Sequence, residues 1–285
     1  RILSHIEFCA RKSEVVALIG PSGEGKTTLI HTIMGFCKAT EGEICLFEGE
    51  KNTFKYLKRI GYVPDDLLCF SGMTGAEFLD MTIELKKMED SLEYAEELIE
   101  YFNIAPELSL EYMEESMNKC VYIISALLSK PELLILDEPF NFLDEDDSDK
   151  LKQLLKNYTE NGNTVIIATD EYNQIDGICT KFSVLKDGEQ ILVDESASCY
   201  TNLKLIDVDT LENYSDILEM KMYNELVKEV CCNEATTNIK SFLFEGSVEE
   251  LKEFILAIKC KDFEIYDVSI HDQIFRNYTW LEGEQ

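Results

Sequence analysis

Basic residues are scarce in this chain. Lys and Arg number 26 against 56 Asp and Glu, a formal net charge of −30 over 285 residues. That balance argues against nucleic acid, which asks for a basic stripe, and against direct adhesion to anionic lipid. Arginine is scarcer still, with only Arg1, Arg11, Arg59 and Arg276, too few for a kinase that gathers guanidinium groups over a transferring phosphate. Three histidines (His5, His31, His271) and ten cysteines without a C-x-x-C pair offer no zinc-ligand spacing. The scattered cysteines read as small buried hydrophobes in a reducing cytosol. No apolar run reaches membrane-spanning length and no secretory leader is read. A chain that opens on Arg1 reads as a fragment or as trimmed at its start.

What the chain does have is a phosphate-binding loop. Gly20, Pro21, Ser22, Gly23, Glu24, Gly25, Lys26, Thr27 and Thr28 satisfy G-x-x-x-x-G-K-[ST] at every fixed position. The β-branched run Glu14–Ile19 before it predicts a buried strand. Lys26–Met34 after it alternates like a helix and stops at Gly35. Glycines let successive N–H groups turn towards a polyphosphate, and the helix N-terminus adds partial positive charge. Lys26 is expected to reach the outer phosphates and Thr27 to ligate Mg²⁺.

The second half of such a site lies at Leu133–Pro139, four apolar residues ending in Asp137 and Glu138. A buried strand that delivers Asp137 at its end suits a water-mediated hold on Mg²⁺, and Glu138 is placed to polarise an attacking water. Further strands are expected at Glu43–Phe47, Ile60–Val63 and Val165–Thr169, and a hairpin joins Phe182–Leu185 to Gln190–Val193. Residues 75–130 read as an acidic helical subdomain, with helices at Ala76–Lys87, Leu92–Phe102 and Lys119–Leu128. Residues 196–285 read as a separate α+β extension, with helices at Ile217–Val230 and Val248–Ile258 and apolar runs at Ser241–Phe244 and Phe263–Val268.

The series ALIGPSGEGKTTLI, IGYVPDD, ALLSKPELLILDEP, FNFLD and VIIATDE resembles the ATP-binding subunit of an ABC transporter over residues 1–195. The tail EIYDVSIHDQIFRNYT is similar to extensions on subunits of multidrug and antibiotic exporters. The resemblance implies an α/β P-loop NTPase fold: a RecA-like core with an antiparallel β subdomain and an α-helical subdomain, plus the small C-terminal α+β appendage. It implies ATP and Mg²⁺ as ligands, and Asp144 in the loop after Walker B. It implies as partners a transmembrane subunit, expected to dock near Leu67–Thr74, and a second ATP-binding subunit, a heterodimer in preference to a homodimer. The implied location is cytoplasmic, peripheral to the inner face of the membrane.

Three family elements are absent. The signature, usually Leu-Ser-Gly-Gly-Gln, falls on Met113-Glu114-Glu115-Ser116-Met117, and no glycine occurs between Gly75 and Gly162. Glu114 and Glu115 facing a partner's γ-phosphate at about 5 Å would be repelled by about 3 kcal/mol at an effective dielectric of 20; as a bland alternative they favour a helix N-terminus. Asp65 stands where the Q-loop glutamine is usual, and Asp170 where the switch histidine is; each reads equally well as an exposed turn residue. Two readings follow: a slow or partner-dependent ATPase in an asymmetric exporter, or a non-catalytic ATP-binding regulatory subunit.

Overall fold

Apolar runs become strands where both faces find cover. β1 (Val15–Ile19), β2 (Ile60–Val63), β3 (Leu133–Asp137), β4 (Thr164–Thr169), β5 (Lys181–Lys186) and β6 (Glu189–Asp194) form one sheet in the order β2-β3-β4-β1-β5-β6. All five residues of β1 and of β3 are buried, as a parallel sheet covered on both sides requires. The first five strands are parallel, and β6 returns antiparallel from the turn at Asp187-Gly188. The computed structural model describes residues 3–47, 56–67, 70, 72–194, 203–209, 227–229, 239–245, 247–258 and 260–267. The chain divides into two compact units, Arg1–Glu195 and Ser196–Gln285.

Register decides where function can sit. Ile19 pairs with Thr169, Asp137 with Ala168, and Val63 with Leu136. The residues that follow β1, β2, β3 and β4 therefore emerge side by side along one edge of the sheet, where open α/β sheets bind ligands. Helix α1 (Lys26–Ile33) packs Leu29, Ile30 and Ile33 against Leu18, Ile135, Ile166 and Leu185. Burying side chains of this size contributes about 1.5–3 kcal/mol each, so the loop between β1 and α1 is anchored at both ends.

Helices α2 (Gly75–Lys86), α3 (Leu92–Phe102) and α4 (Glu115–Leu127) make the helical block, and α5 (Glu145–Glu160) follows β3. Thr74 and Glu77 close a capping box on α2, worth about 1 kcal/mol. α4 is apolar nearly all round from Cys120 to Leu127 and correspondingly buried. It starts at Glu115, four residues before the start expected at Lys119, because Glu114 takes the extended cap position.

Two expectations need correction. Glu43–Phe47 is not a strand: Glu43, Ile44 and Cys45 are exposed, and only Leu46 makes a bridge. No ladder joins these residues to a named strand among the described residues, and an apolar pattern without such a partner does not make a strand. In the second unit, Val227–Glu229, expected as the end of a helix, is a strand; residues 217–226 lie outside the described residues, as do Leu68, Cys69 and Ser71 of the expected docking segment. Pairing with an apolar neighbour overrides local propensity there.

That unit contains an antiparallel sheet ordered β10-β7-β9-β8, from β7 (Leu203–Asp209), β8 (Val227–Glu229), β9 (Ile239–Glu245) and β10 (Asp262–Asp267). Helix α6 (Val248–Ala257), capped by Ser247 and Glu250, buries Leu251 and Phe254 against Ile206, Val208 and Phe244.

Candidate nucleotide site

The loop after β1 is shaped by what will not fit. A Cβ on Gly20 would lie 2.5 Å from the Leu185 carbonyl oxygen, so any side chain would push the loop off β5. Gly20 N–H donates to Thr169 O at 3.3 Å and ties the loop to β4. Gly25 caps α1 at φ 100°, a left-handed conformation, with no side chain satisfying the first-turn N–H groups. Those donors are the ones an anion would use. The Glu24 carboxylate accepts the Gly188 N–H at 3.2 Å, so this side chain braces the loop against the β5–β6 turn.

Lys26 is buried at 6% exposure. Its Nζ donates to Gly20 O at 2.7 Å and Pro21 O at 3.3 Å, and pairs with Glu138 Oε1 at 3.1 Å. The Thr27 hydroxyl donates to Asp137 Oδ2 at 2.7 Å, across 110 residues of sequence. The other oxygen, Asp137 Oδ1, is buried without a hydrogen-bond partner. A neutral hydroxyl beside an orphaned carboxylate oxygen is a hard-oxygen donor set that fits Mg²⁺ retaining part of its water shell. Among the described residues no three His, Cys, Asp or Glu side chains cluster as a metal cage, so phosphate oxygens would complete such a site.

Glu138 holds an uncommon backbone conformation, φ 45°, fixed by its N–H to Ala168 O at 2.8 Å. Its Oε2 accepts the Asp170 N–H at 3.3 Å. Burial holds the carboxyl groups of both Asp137 and Glu138 above their ordinary range, outweighing the Thr27 hydrogen bond at one and the Lys26 ammonium at the other. Asp65 reinforces the rise at Asp137, and Asp170 does so at Glu138. Glu138 meets the Lys26 ammonium, whereas Asp137 Oδ1 is left unpaired, the position that a cation would fill.

An open cleft of about 150 Å³ lies over these groups, lined by Ser22, Gly23, Gly25, Lys26, Thr27 and Thr28, with Asp65 and Glu138 on its other walls. The structure thus brings the loop, Glu138 and Asp65 together around one space. Asp170 joins through its main chain. Glu114 and Glu115 do not line the cleft; they stand exposed at the start of α4, where a negative charge favours the helix dipole.

Asp144 belongs to this second cluster. It caps α5 by accepting the Asp147 N–H at 2.8 Å. Ser116 Oγ donates to Asp147 Oδ2 at 2.7 Å and accepts the Asp144 N–H at 3.4 Å. The serine of the signature region is therefore engaged within its own chain.

Two residues escaped the sequence reading. Tyr62, at the end of β2, meets His31 Nε2 at 3.3 Å, and burial with Asp137 and Asp65 nearby pushes its hydroxyl up to about 12. Lys119 is fully buried in α4, and its Nζ donates to Pro64 O at 3.3 Å. Burial pulls this ammonium below its ordinary value, while Asp65, Asp137, Glu138 and Asp66 pull the other way. The available signal was a lone cation heading an otherwise apolar helical run.

A family profile described as ABC transporter matches residues 3–141. An uncharacterized ABC transporter ATP-binding protein of Bacillus subtilis, YhaQ, is 27% identical over 92% of this chain and 88% of its own length. The linearmycin resistance ATP-binding protein LnrL of the same organism is 28% identical over 67% of this chain and 64% of its own length. The dimeric structure of MJ0796, a bacterial ABC transporter cassette, superposes with a TM-score of 0.59 at 24% identity, covering 68% of this chain and 90% of that one. At that identity the likeness is one of fold.

Proposed function

Because this chain carries an ABC transporter ATP-binding domain, homologous to bacterial ABC ATP-binding proteins, we propose that it couples ATP to transport through a separate transmembrane subunit. The observation that carries the reading is the convergence of the Lys26 ammonium and the unpartnered Asp137 Oδ1 beside one cleft. Gly20–Thr28 bind the polyphosphate. Lys26 exchanges Glu138 for the outer phosphates as the nucleotide arrives, which frees Glu138 to orient a water for in-line attack. Thr27 and Asp137 would hold Mg²⁺, which would supply charge neutralisation on the phosphates.

Catalysis in this reading is weakened and depends on a partner. Asp170 can donate to a γ-phosphate only when protonated. Glu114 and Glu115 present negative charge where a second ATP-binding subunit's nucleotide would sit, so a partner with an intact signature suits this chain better than a second copy. Export is the direction we infer, from the resistance role printed for LnrL. No helix among the described residues is long and apolar enough to cross a membrane; attachment at the inner face goes through the partner. Engagement of Ser116 with Asp147 favours the second reading, a regulatory subunit that binds ATP without turning it over.

Calorimetric titration of Mg-ATP into the folded chain tests the site: micromolar binding is expected, and absence of heat overturns the reading. An ATPase assay alone and with the candidate membrane partner, beside Glu138→Gln, separates the two roles. Turnover that appears only with the partner supports the transporter subunit, and none in either case supports the regulatory one.

A further inference from the structure

Lys119 is one of only 26 basic residues in an acidic chain, yet it is placed where water does not reach. A buried ammonium is costly unless its surroundings need it. Its side chain crosses from α4 to the residue after β2, bonding Pro64 O at 3.3 Å, one residue before Asp65 of the cleft wall. Among the described residues no carboxylate makes an ion pair with it; Asp65, Asp66, Asp137 and Glu138 act on it through space. Two buried cations, Lys26 and Lys119, thus serve the same acidic edge. Lys26 faces the phosphate loop, and Lys119 lies behind the Asp65 wall.

We propose that Lys119 is a positioning residue for the nucleotide site, holding the Pro64–Asp65 wall in place and supplying fixed positive charge that sets how strongly ATP binding depends on Mg²⁺. The proposal rests on the reading of this cleft as a nucleotide site. Loss of the ammonium leaves Asp65, Asp137 and Glu138 less compensated. Free ATP, the more highly charged ligand, is then repelled more than its magnesium complex. A merely structural lysine would weaken both forms alike.

The test is calorimetric titration of ATP into the full chain, once in EDTA and once in excess Mg²⁺, for the unmutated protein, Lys119→Met, Lys119→Arg and Lys119→Met/Asp65→Asn. Lys119→Met should raise the ratio of Kd in EDTA to Kd in Mg²⁺ by about tenfold. Lys119→Arg should stay within about threefold of the unmutated ratio, and removing the Asp65 charge should bring the double variant back towards it. Equal weakening in both buffers, or a loss of thermal stability with the ratio unchanged, overturns the proposal. Should Lys119→Met fail to fold, Asp65→Asn alone must lower the ratio, and an unchanged ratio is equally fatal. If the unmutated chain binds ATP in neither buffer, the nucleotide reading falls and this proposal with it.

Discussion

The two edges of the six-stranded sheet are built from similar residues and finished in opposite ways. At the edge where β2 and β3 begin, most of the named polar groups are paired, Ser129 Oγ excepted. Arg59 forms a two-point ion pair with Glu132, with contacts at 2.6 and 2.5 Å, and Glu132 N–H donates to Arg59 O at 3.0 Å. The Tyr158 hydroxyl donates to Pro131 O, and Thr164 Oγ1 donates to Arg11 O. At the edge where β3 and β4 end, Asp137 Oδ1 has no partner, two carboxyl groups are pushed up by burial, and Glu138 sits at a positive φ. The contrast fits the proposed roles: one edge uses its polar residues to hold strands together, while the other leaves Asp137 Oδ1 open, as the proposed nucleotide site requires.

Substitutions can break that contrast or sharpen it. The largest effect is expected from Glu138→Gln, which should lower any partner-dependent ATP turnover by about 100-fold or more. ATP binding should survive. Since a carboxyl raised by burial destabilises the fold in its charged form, the substitution should leave thermal stability at neutral pH unchanged or slightly higher. A fall in stability with turnover intact would place Glu138 with the structural edge.

Next comes Lys26→Ala, expected to weaken ATP binding about 100-fold in calorimetry through loss of charge-assisted bonds to phosphate. Far-UV circular dichroism should stay native-like. At the start of α4, Glu114→Ser with Glu115→Gly should tighten ATP-dependent subunit association about tenfold in a Glu138→Gln background, measured by sedimentation. The repulsion removed lies on an exposed, screened surface, so the gain is smaller than its bare Coulomb value.

The smallest effect belongs to the opposite edge. Arg59 holds the Glu132 carboxyl below its ordinary value, chiefly through their hydrogen bond. A lowered folded value stabilises above the unfolded value and loses that contribution as pH falls through the folded one. Both side chains are well exposed, so Glu132→Gln should cost less than about 1 kcal/mol at pH 7. The loss should vanish in acid, and ATP affinity should not move.

The strands and helix that carry the candidate site were legible in sequence because their parts are local. Gly20–Thr28 sit between a buried run and an amphipathic helix, and Asp137 ends an apolar strand; each segment carries its own context. Other features depend on partners far along the chain. Lys119 meets Pro64 from 55 residues away, and nothing near it in sequence says which wall it reaches. Glu43–Phe47 has strand-like apolar positions yet stays largely exposed, because periodicity alone cannot supply a neighbour. Val227–Glu229 shows the reverse: β9 supplies Phe244 and Phe242 as register partners, and the segment follows. Ser116 was read only as part of a broken signature, since its bond to Asp147 depends on how two helix ends meet.

The left-handed turn at Glu138 carries a cost that glycine would relieve, about 1 kcal/mol. A glutamate kept there is aimed by the main chain itself, before any rotamer is chosen. In the proposed reaction its carboxylate would swap a lysine for a water from a main-chain position already set, so the backbone would aim the group that the side chain delivers.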